Sequence, residues 1–598
     1  MLRGFLSTGL FCLLLAIQAC GQEHKRNQIW VEDLETANKN TVVLNNGSSQ
    51  IPLIHFEKLH VASLNLGFNN MGVLDSIFSK YKTIDTFSVA DNNQLGLVDD
   101  LKLYNQIVVV VKDSLLLDQA NLDMLKALEA KKNIIIAMFG KGSYLQYLNE
   151  ITSPIIWSSS EDAVAASLVA QIICGGRGVQ NKLEENYSPK YVKGMGDDVF
   201  PIRLAYSVPE EVGINSNNLS EIDKIVNKAI DEQATPGAVV LVAVKGKVIY
   251  NKAFGHPTYQ DKHPVEVNDI YDLASITKIA ATTMASMKLY EEGKLKLDDI
   301  VSNYISRTKK TDKANIKIKD ILLHQAGFIP FIPFYQNLKP MDYSRDSSAD
   351  FSVKVADSFF LKKDYYKNVM WKQMLEVPLK TPGKYVYSDL SMYYMKEVIE
   401  GITGETLPKY VEDNFYKPLG MDATLFNPRN RFDKSRIIPT EKDEYFRKTL
   451  LWGYVHDQGA AMAGGVAGHA GLFSIATDLA TLGQMLLNKG AYGSVEYFKP
   501  QTVELFTSRQ SSVSRRGLGF DRWDPDLSKK YPSELASPET FGHTGYTGTC
   551  FWVDPARELI YVFLSNRVNP KVTNTLLQLN VRSNIQDVIY KAINNKNE

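Results

Sequence analysis

Apolar residues come in short dense runs through residues 51–185 and again from about 211 to the end of the chain. In the first stretch Leu59–Leu66, Ile107–Val111 and Asn133–Phe139 are bounded by polar residues, the pattern of strands covered on both faces. Asp118–Lys131 carries its apolar positions at helical spacing between two of those runs. That rhythm predicts an α/β layer domain with parallel pairing. No glycine-rich phosphate loop follows its first strand, which argues against a nucleotide site. The second stretch opens with a predicted helix over Ser216–Glu232, then a hairpin of Val239–Val244 and Val248–Phe254 over Lys245-Gly246. Ile279–Leu289 is an apolar helical run that ends near Gly293. Phe551–Val553 and Leu559–Leu564 read as strands and Asn584–Asn594 as a terminal helix. The first and last segments of residues 211–598 are therefore expected to share one antiparallel sheet flanked by helices, an α+β domain with a helical subdomain between them.

Polar stretches separate these parts. Residues 21–50 close on Leu44-Asn-Asn-Gly-Ser-Ser-Gln50 and read as a polar tether with little fixed structure. Residues 186–210, with Pro189, Gly194, Gly196, Asp197 and Asp198, read as a linker. At the N-terminus Arg3, the apolar Leu10–Ile17 and Ala19-Cys20-Gly21 form an export signal over residues 1–20, too short for a usual membrane span. Ala16-Ile-Gln-Ala-Cys20 resembles a bacterial lipoprotein box. The resemblance implies a lipidated Cys20 and a protein anchored in the cell envelope, periplasmic or surface-facing.

With 598 residues, two or more domains are expected. A formal net charge of zero gives no basic surplus for nucleic acid, and no nucleic-acid motif is present. If Cys20 is lipidated, only Cys174 and Cys550 of the mature chain could pair. They fall in separate predicted domains, so buried free thiols are expected. His456, Asp457 and His469 fit no standard zinc spacing and are read as loop or cleft-lining residues, so neither metal nor cofactor is expected. His324 reads as a structural histidine. The run Phe328–Tyr335 is left open between lining a cleft and capping a core.

The chemistry concentrates in three motifs. Ser275-Ile-Thr-Lys278 is one of three S-x-x-K matches; Ser79 with Lys82 and Ser306 with Lys309 sit in charged surface-like stretches. Ser275 instead opens the apolar helical run, so Lys278 can lie beside it on one face. A serine hydroxyl needs such a base, and a poorly solvated lysine can serve as one. Tyr387-Ser-Asp389 and His543-Thr544-Gly545 follow in the order known for penicillin-recognising enzymes.

Residues 211–598 resemble the class C β-lactamase and penicillin-binding-protein-like serine hydrolases. The likeness is carried by those three motifs together with Thr235-Pro-Gly237, Tyr271-Asp-Leu-Ala274, Asp320–Gly327, Pro382–Val386 and Gly468–Ser474. It implies Ser275 as acylated nucleophile, Lys278 as base or proton relay and Tyr387 as the group serving the leaving atom. It implies an oxyanion hole from the backbone N–H groups of Ser275 and Tyr546, and substrate contacts at Asp389, His543, Thr544 and Gly545. Two positions depart from the family pattern. Asp389 stands where asparagine is common, and an ionised aspartate cannot donate to a substrate amide. His543 stands where β-lactamases commonly have lysine, so a positive grip on a carboxylate would exist only on protonation, below roughly pH 6.5 for an ordinary imidazole. The implied substrate is a D-amino-acid peptide or amide, as for DD-carboxypeptidases. The alternatives are a small carboxylic ester and a non-catalytic envelope binding role; the oligomeric state is not legible. Residues 51–185 resemble, more weakly, the C-terminal α/β domain of family-three glycoside hydrolases, as in bacterial glycosidase–serine hydrolase fusions. The glycosidase barrel is missing here, which implies a scaffold or binding role.

Overall fold

The structure, a computed structural model, describes residues 4–89, 97 and 99–595, with side chains from residue 22 onward. Residues 1–3 and the side chains of the rest of the export segment, Cys20 included, lie outside the described residues.

The first domain contains α1 (Gly4–Lys39), β1 (Thr41–Leu44), β2 (Val61–Leu66), α2 (Met71–Phe78), β3 (Ile84–Ser88), β4 (Gln106–Lys112), α3 (Gln119–Glu129), β5 (Asn133–Phe139), β6 (Ile155–Ser158) and α4 (Ala163–Cys174). The sheet order is β1-β6-β5-β4-β2-β3. All pairings are parallel except the antiparallel β1–β6 edge, so the sheet is mixed where purely parallel pairing was expected. The apolar runs are continuous because both faces are covered. Val108, Val110, Ile135 and Ala137 pack with Leu168 and Ile172 of α4. Ile107, Val109, Ile134 and Ile136 pack on the other face with Leu125 and Leu128 of α3.

The expected tether is corrected here. Residues 22–44 are helix and strand, and their polar composition conceals a stripe. Asn27, Leu34 and Ala37 are buried and Trp30 partly so, at the spacing of one helix face. β1 then completes the sheet edge in register, with Val42 opposite Trp157. The linker is likewise fixed at its end. β7 (Ala205–Tyr206) joins the second sheet, and Arg203 donates to the carbonyls of Leu53 and Cys174.

The second domain is built on a sheet formed from both ends of its sequence: β7, α5 (Ser216–Asp231), β8 (Gly237–Val244), β9 (Lys247–Gly255), β10 (Asp521–Arg522), β11 (Phe541–Thr544), β12 (Cys550–Asp554), β13 (Leu559–Ser565) and the terminal α9 (Val581–Asn594). The order is β10-β11-β12-β13-β8-β9-β7, antiparallel save for β7. Between β9 and β10 lie α6 (Met284–Glu291), α7 (Leu390–Thr403) and α8 (Ala476–Leu487). Every position of β8 is buried. Ala238, Val240, Val242 and Val244 face α5 and α9, while Val239, Leu241 and Ala243 face α8 and the helical half. Cys174 and Cys550 are buried free thiols, one in each domain, as expected. Among the described residues no helix is long and apolar enough to cross a membrane.

Candidate active site

Ser275 does not open a simple α-helix. It sits in a 3-10 turn, Ala274–Ile276, directly after a two-residue strand, Tyr271–Asp272, that pairs with Phe473 and Ser474. Ala274 takes a left-handed φ of 46°, a strained conformation for a residue with a Cβ. Buried Asp272 holds it there: one carboxylate oxygen accepts from the Ala274 N–H at 2.9 Å and the other from the His456 N–H at 2.7 Å. Thr547 and Thr549 hydroxyls donate to the carbonyls of Asp272 and Leu273. The turn that follows the third motif thus clamps the nucleophile turn. Only glycine fits at 545, because a Cβ there would lie 2.1 Å from Thr549 Oγ1 and 2.5 Å from the Leu273 carbonyl. Lys278 begins a π-helical turn, Lys278–Thr283, before α6. Such turns are frequent at functional sites.

Three predicted residues meet at one ammonium group. Lys278 is fully buried, and its Nζ donates to Ser275 Oγ at 2.8 Å and to Asp389 Oδ1 at 2.7 Å. The same Nζ lies 4.8 Å from the centre of the Tyr387 ring and 3.5 Å from the His469 carbonyl. Burial alone would push this lysine down; Asp389 and then Tyr387 outweigh it, and the net movement is upward. Burial pushes the Tyr387 hydroxyl up, against the opposing pull of Lys278.

The second motif is seated from behind. His324 accepts from the Ser388 N–H at 3.2 Å and its ring lies 4.7 Å from that of Tyr387. Burial, then Arg516 and Lys278, drive His324 well below its usual range, so it is a neutral supporting group. The Ser388 hydroxyl donates to Ile329 O and the Asp389 N–H to Pro330 O, fixing the aromatic loop against the site. That loop does both jobs left open by the sequence: Phe328 and Phe334 are core residues, while Phe331 is 62% exposed.

His543 and Thr544 lie on β11, paired with β12, and Tyr546 follows with its side chain 53% exposed. The Tyr546 ring stacks on His456. The expectation of a protonatable grip at His543 is corrected. Burial first, then Arg516 and Lys278, hold its imidazole down to about 3. Its Nδ1 sits 2.7 Å from the Thr544 carbonyl, which makes that nitrogen the donor, and Nε2 accepts from Arg516 at 3.2 Å. Arg516 is the residue that sequence reasoning missed. It is buried, 5.2 Å from the Tyr387 ring centre and 3.6 Å from Asp521, and it places a fixed cation behind the third motif. Its only sequence signal is a charge pair, Arg515-Arg516, in a serine-rich loop.

Asp457 caps the short helix Gln458–Met462 and contacts His469 Nε2 at 3.0 Å. Asp389, Asp457 and His469 bring one potential ligand atom each within 4.8 Å of one another. The Lys278 ammonium already contacts Asp389, so a positive charge is supplied there by the protein itself.

The family described as Beta-lactamase matches residues 222–583. The chain is 34% identical over 407 residues to a "Putative D-alanyl-D-alanine carboxypeptidase" of Escherichia coli O157:H7, covering 63% of this chain and 88% of that protein. It is 36% identical over 410 residues to the protein of the same description from Salmonella paratyphi A, covering 64% and 90%. Among solved structures it is similar to "EstCE1, a hydrolase with promiscuous acyltransferase activity", at 20% identity over 62% of this chain and 98% of that one, with a TM-score of 0.48.

Proposed function

From the premise that this chain belongs to the beta-lactamase family of serine hydrolases, we propose that it cleaves the terminal residue from D-alanine-ended peptides through an acyl-enzyme on Ser275. The observation that carries the reading is the contact of Ser275 Oγ with the buried Lys278 Nζ at 2.8 Å, beside Tyr387 and in front of a fixed Arg516. In this scheme neutral Lys278 takes the Ser275 proton as Oγ attacks the scissile carbonyl. The N–H groups of Ser275 and Tyr546 hold the oxyanion, each worth about 3 kcal/mol. Tyr387 passes the proton to the leaving amine, and water then releases the acyl group. The substrate's free carboxylate is received by Arg516 through His543 and Thr544. Arg516 favours an anionic peptide over a neutral ester, because its charge persists at all physiological pH values.

A substrate panel tests this. Peptides ending in D-Ala-D-Ala should turn over fastest, p-nitrophenyl esters more slowly, and nitrocefin slowest. Asp389 places a negative charge where a donating amide is common, so contacts to the drug's side-chain amide are poor. Faster turnover of neutral esters than of peptides would favour the esterase reading. Ser275→Ala should lower turnover by about 10⁴-fold or more and abolish covalent labelling, with the fold intact by circular dichroism. Full activity in that variant would rule out the mechanism, and a wild type that neither turns over nor labels would favour a binding role. We also propose that the protein is held at the cell envelope by a lipid on Cys20. The first domain, for which a glycosidase-type scaffold is the proposed origin, then serves as a spacer rather than a second catalyst.

A further inference from the structure

Asp389 occupies the N-cap position of α7, where aspartate ordinarily accepts from the first helical N–H groups. Its side chain makes no such bond. It turns to Lys278 instead, 2.7 Å from Nζ, with Asp389 26% exposed at its side chain and Lys278 completely buried. Ser275 Oγ lies on the same ammonium at 2.8 Å. Serine and aspartate therefore share one lysine ammonium, where in other hydrolases they contact the two ring nitrogens of one histidine.

The groups facing Lys278 from the other elements do not duplicate this charge. Tyr387 offers a ring face and a hydroxyl kept protonated by burial. His324 and, from β11, His543 are held uncharged by burial and by Arg516. Arg516 is a fixed cation balanced by Asp521. His469 presents its carbonyl to Nζ, while its ring is engaged by Asp457. Among the described residues, Asp389 is the one carboxylate in contact with the lysine.

We propose that Asp389 is the counter-ion of the catalytic lysine, a positioning residue that holds Lys278 charged between turnovers and so sets the pH at which Ser275 becomes reactive. This rests on Ser275 as nucleophile and Lys278 as its proton acceptor. Before each attack Nζ gives one proton to solvent. The neutral amine then takes the Oγ proton as the Oγ–carbonyl bond forms and the carbonyl electron pair moves to oxygen. When the tetrahedral adduct collapses, the leaving amine departs with the bond's electrons and takes a proton through Tyr387 from Lys278. Lys278 is then neutral; after water has released the acyl group it regains from solvent the proton it gave up, and Asp389, which gains and loses nothing, stabilises that resting ammonium. The sign follows: the reactive form is neutral lysine, Asp389 favours the charged form, so activity climbs with rising pH and the aspartate delays that climb.

The test is the rate of covalent labelling by an uncharged alkyl fluorophosphonate, followed from about pH 6 to about pH 10, which avoids titration of any substrate. In Asp389→Asn the rising limb should move to lower pH by about one unit or more, so that near pH 7 the variant labels faster than wild type. Asp389→Glu, which keeps the carboxylate, should keep the limb within about half a unit of its wild-type position. An unmoved limb in Asp389→Asn overturns the proposal. So does loss of labelling at every pH in a folded Asp389→Asn protein, because a lysine freed from its counter-ion should be neutral, and so able to accept the Oγ proton, from a lower pH upward. A folded Ser275→Ala protein that still labels would instead refute the underlying mechanism, independently of Asp389.

Discussion

Arg516 shows what one buried side chain adds to three motifs. It donates to His543 Nε2, leans on the Tyr385 hydroxyl and lies over the Tyr387 ring, so a single guanidinium ties the second motif to the third. If it receives the substrate carboxylate, Arg516→Gln should raise KM for a D-Ala-D-Ala peptide by about 30-fold, equivalent to losing a hydrogen bond to a charged group of about 2 kcal/mol. Arg516→Lys should recover part of that loss, and neutral p-nitrophenyl esters should be affected less than about threefold. Equal losses on both substrate types would assign Arg516 a supporting role only. At this scale the sequence named Ser275, Lys278, Tyr387, Asp389 and His543, and the structure brings all five to one place. It could not name Arg516, because nothing in the order of residues says which of 67 Lys and Arg side chains will be buried against a motif 27 positions away.

Elements show where pattern reading succeeds and where it fails. Runs such as β5 and β8 are apolar at nearly every position, and no amphipathic choice of face has to be made. The helix α1 was missed for the opposite reason: its buried residues, Leu34 and Ala37 with Trp30 partly covered, are diluted by charged neighbours. The helix packs against α4 and α5, and His24 contacts Glu210 at 2.8 Å. The side-chain contacts of α1 with the rest of the protein therefore begin within a few residues of Cys20. If Cys20 carries the proposed lipid, Cys20→Ser should transfer the protein from the membrane fraction to the soluble fraction, because the acyl chains would supply the membrane affinity. Recovery of the wild-type protein in the soluble fraction after signal cleavage would rule out the anchor. The nucleophile turn is the other local departure. Helical periodicity predicted the run after Ser275, but not the left-handed Ala274 or the π-turn at Lys278: Ala274 is held by Asp272 two residues before it, and the preceding carbonyls by Thr547 and Thr549 from the distant turn between β11 and β12.

The whole molecule depends on the join between its two domains. Glu211 receives Arg177 of the first domain in a two-pronged contact, at 2.9 and 2.6 Å, and Lys247 of β9 at 2.6 Å. Burial pushes the Glu211 carboxyl up, but Arg177 and Lys247 outweigh it and leave it at about 2. A depressed carboxylate stabilises the fold fully above its unfolded value of about 4.3 and loses that contribution as pH falls through the folded value. Glu211→Gln should therefore cost about 3 kcal/mol in urea unfolding near neutral pH, with wild type and variant converging as the pH approaches about 2. A constant gap down to that pH would assign the loss to packing rather than charge. Sequence alone determined the two-domain plan, the sheet closed by both ends of the second domain and the motif residues, because periodicity and short motifs are local properties of the chain. The tertiary structure decided the ordered N-terminal segment, the neutral His543, the choice of Arg516 as the fixed cation and the pairing of Asp389 with Lys278. Each of those depends on which distant groups share a desolvated space, and burial reverses the behaviour that an ionisable side chain shows in water.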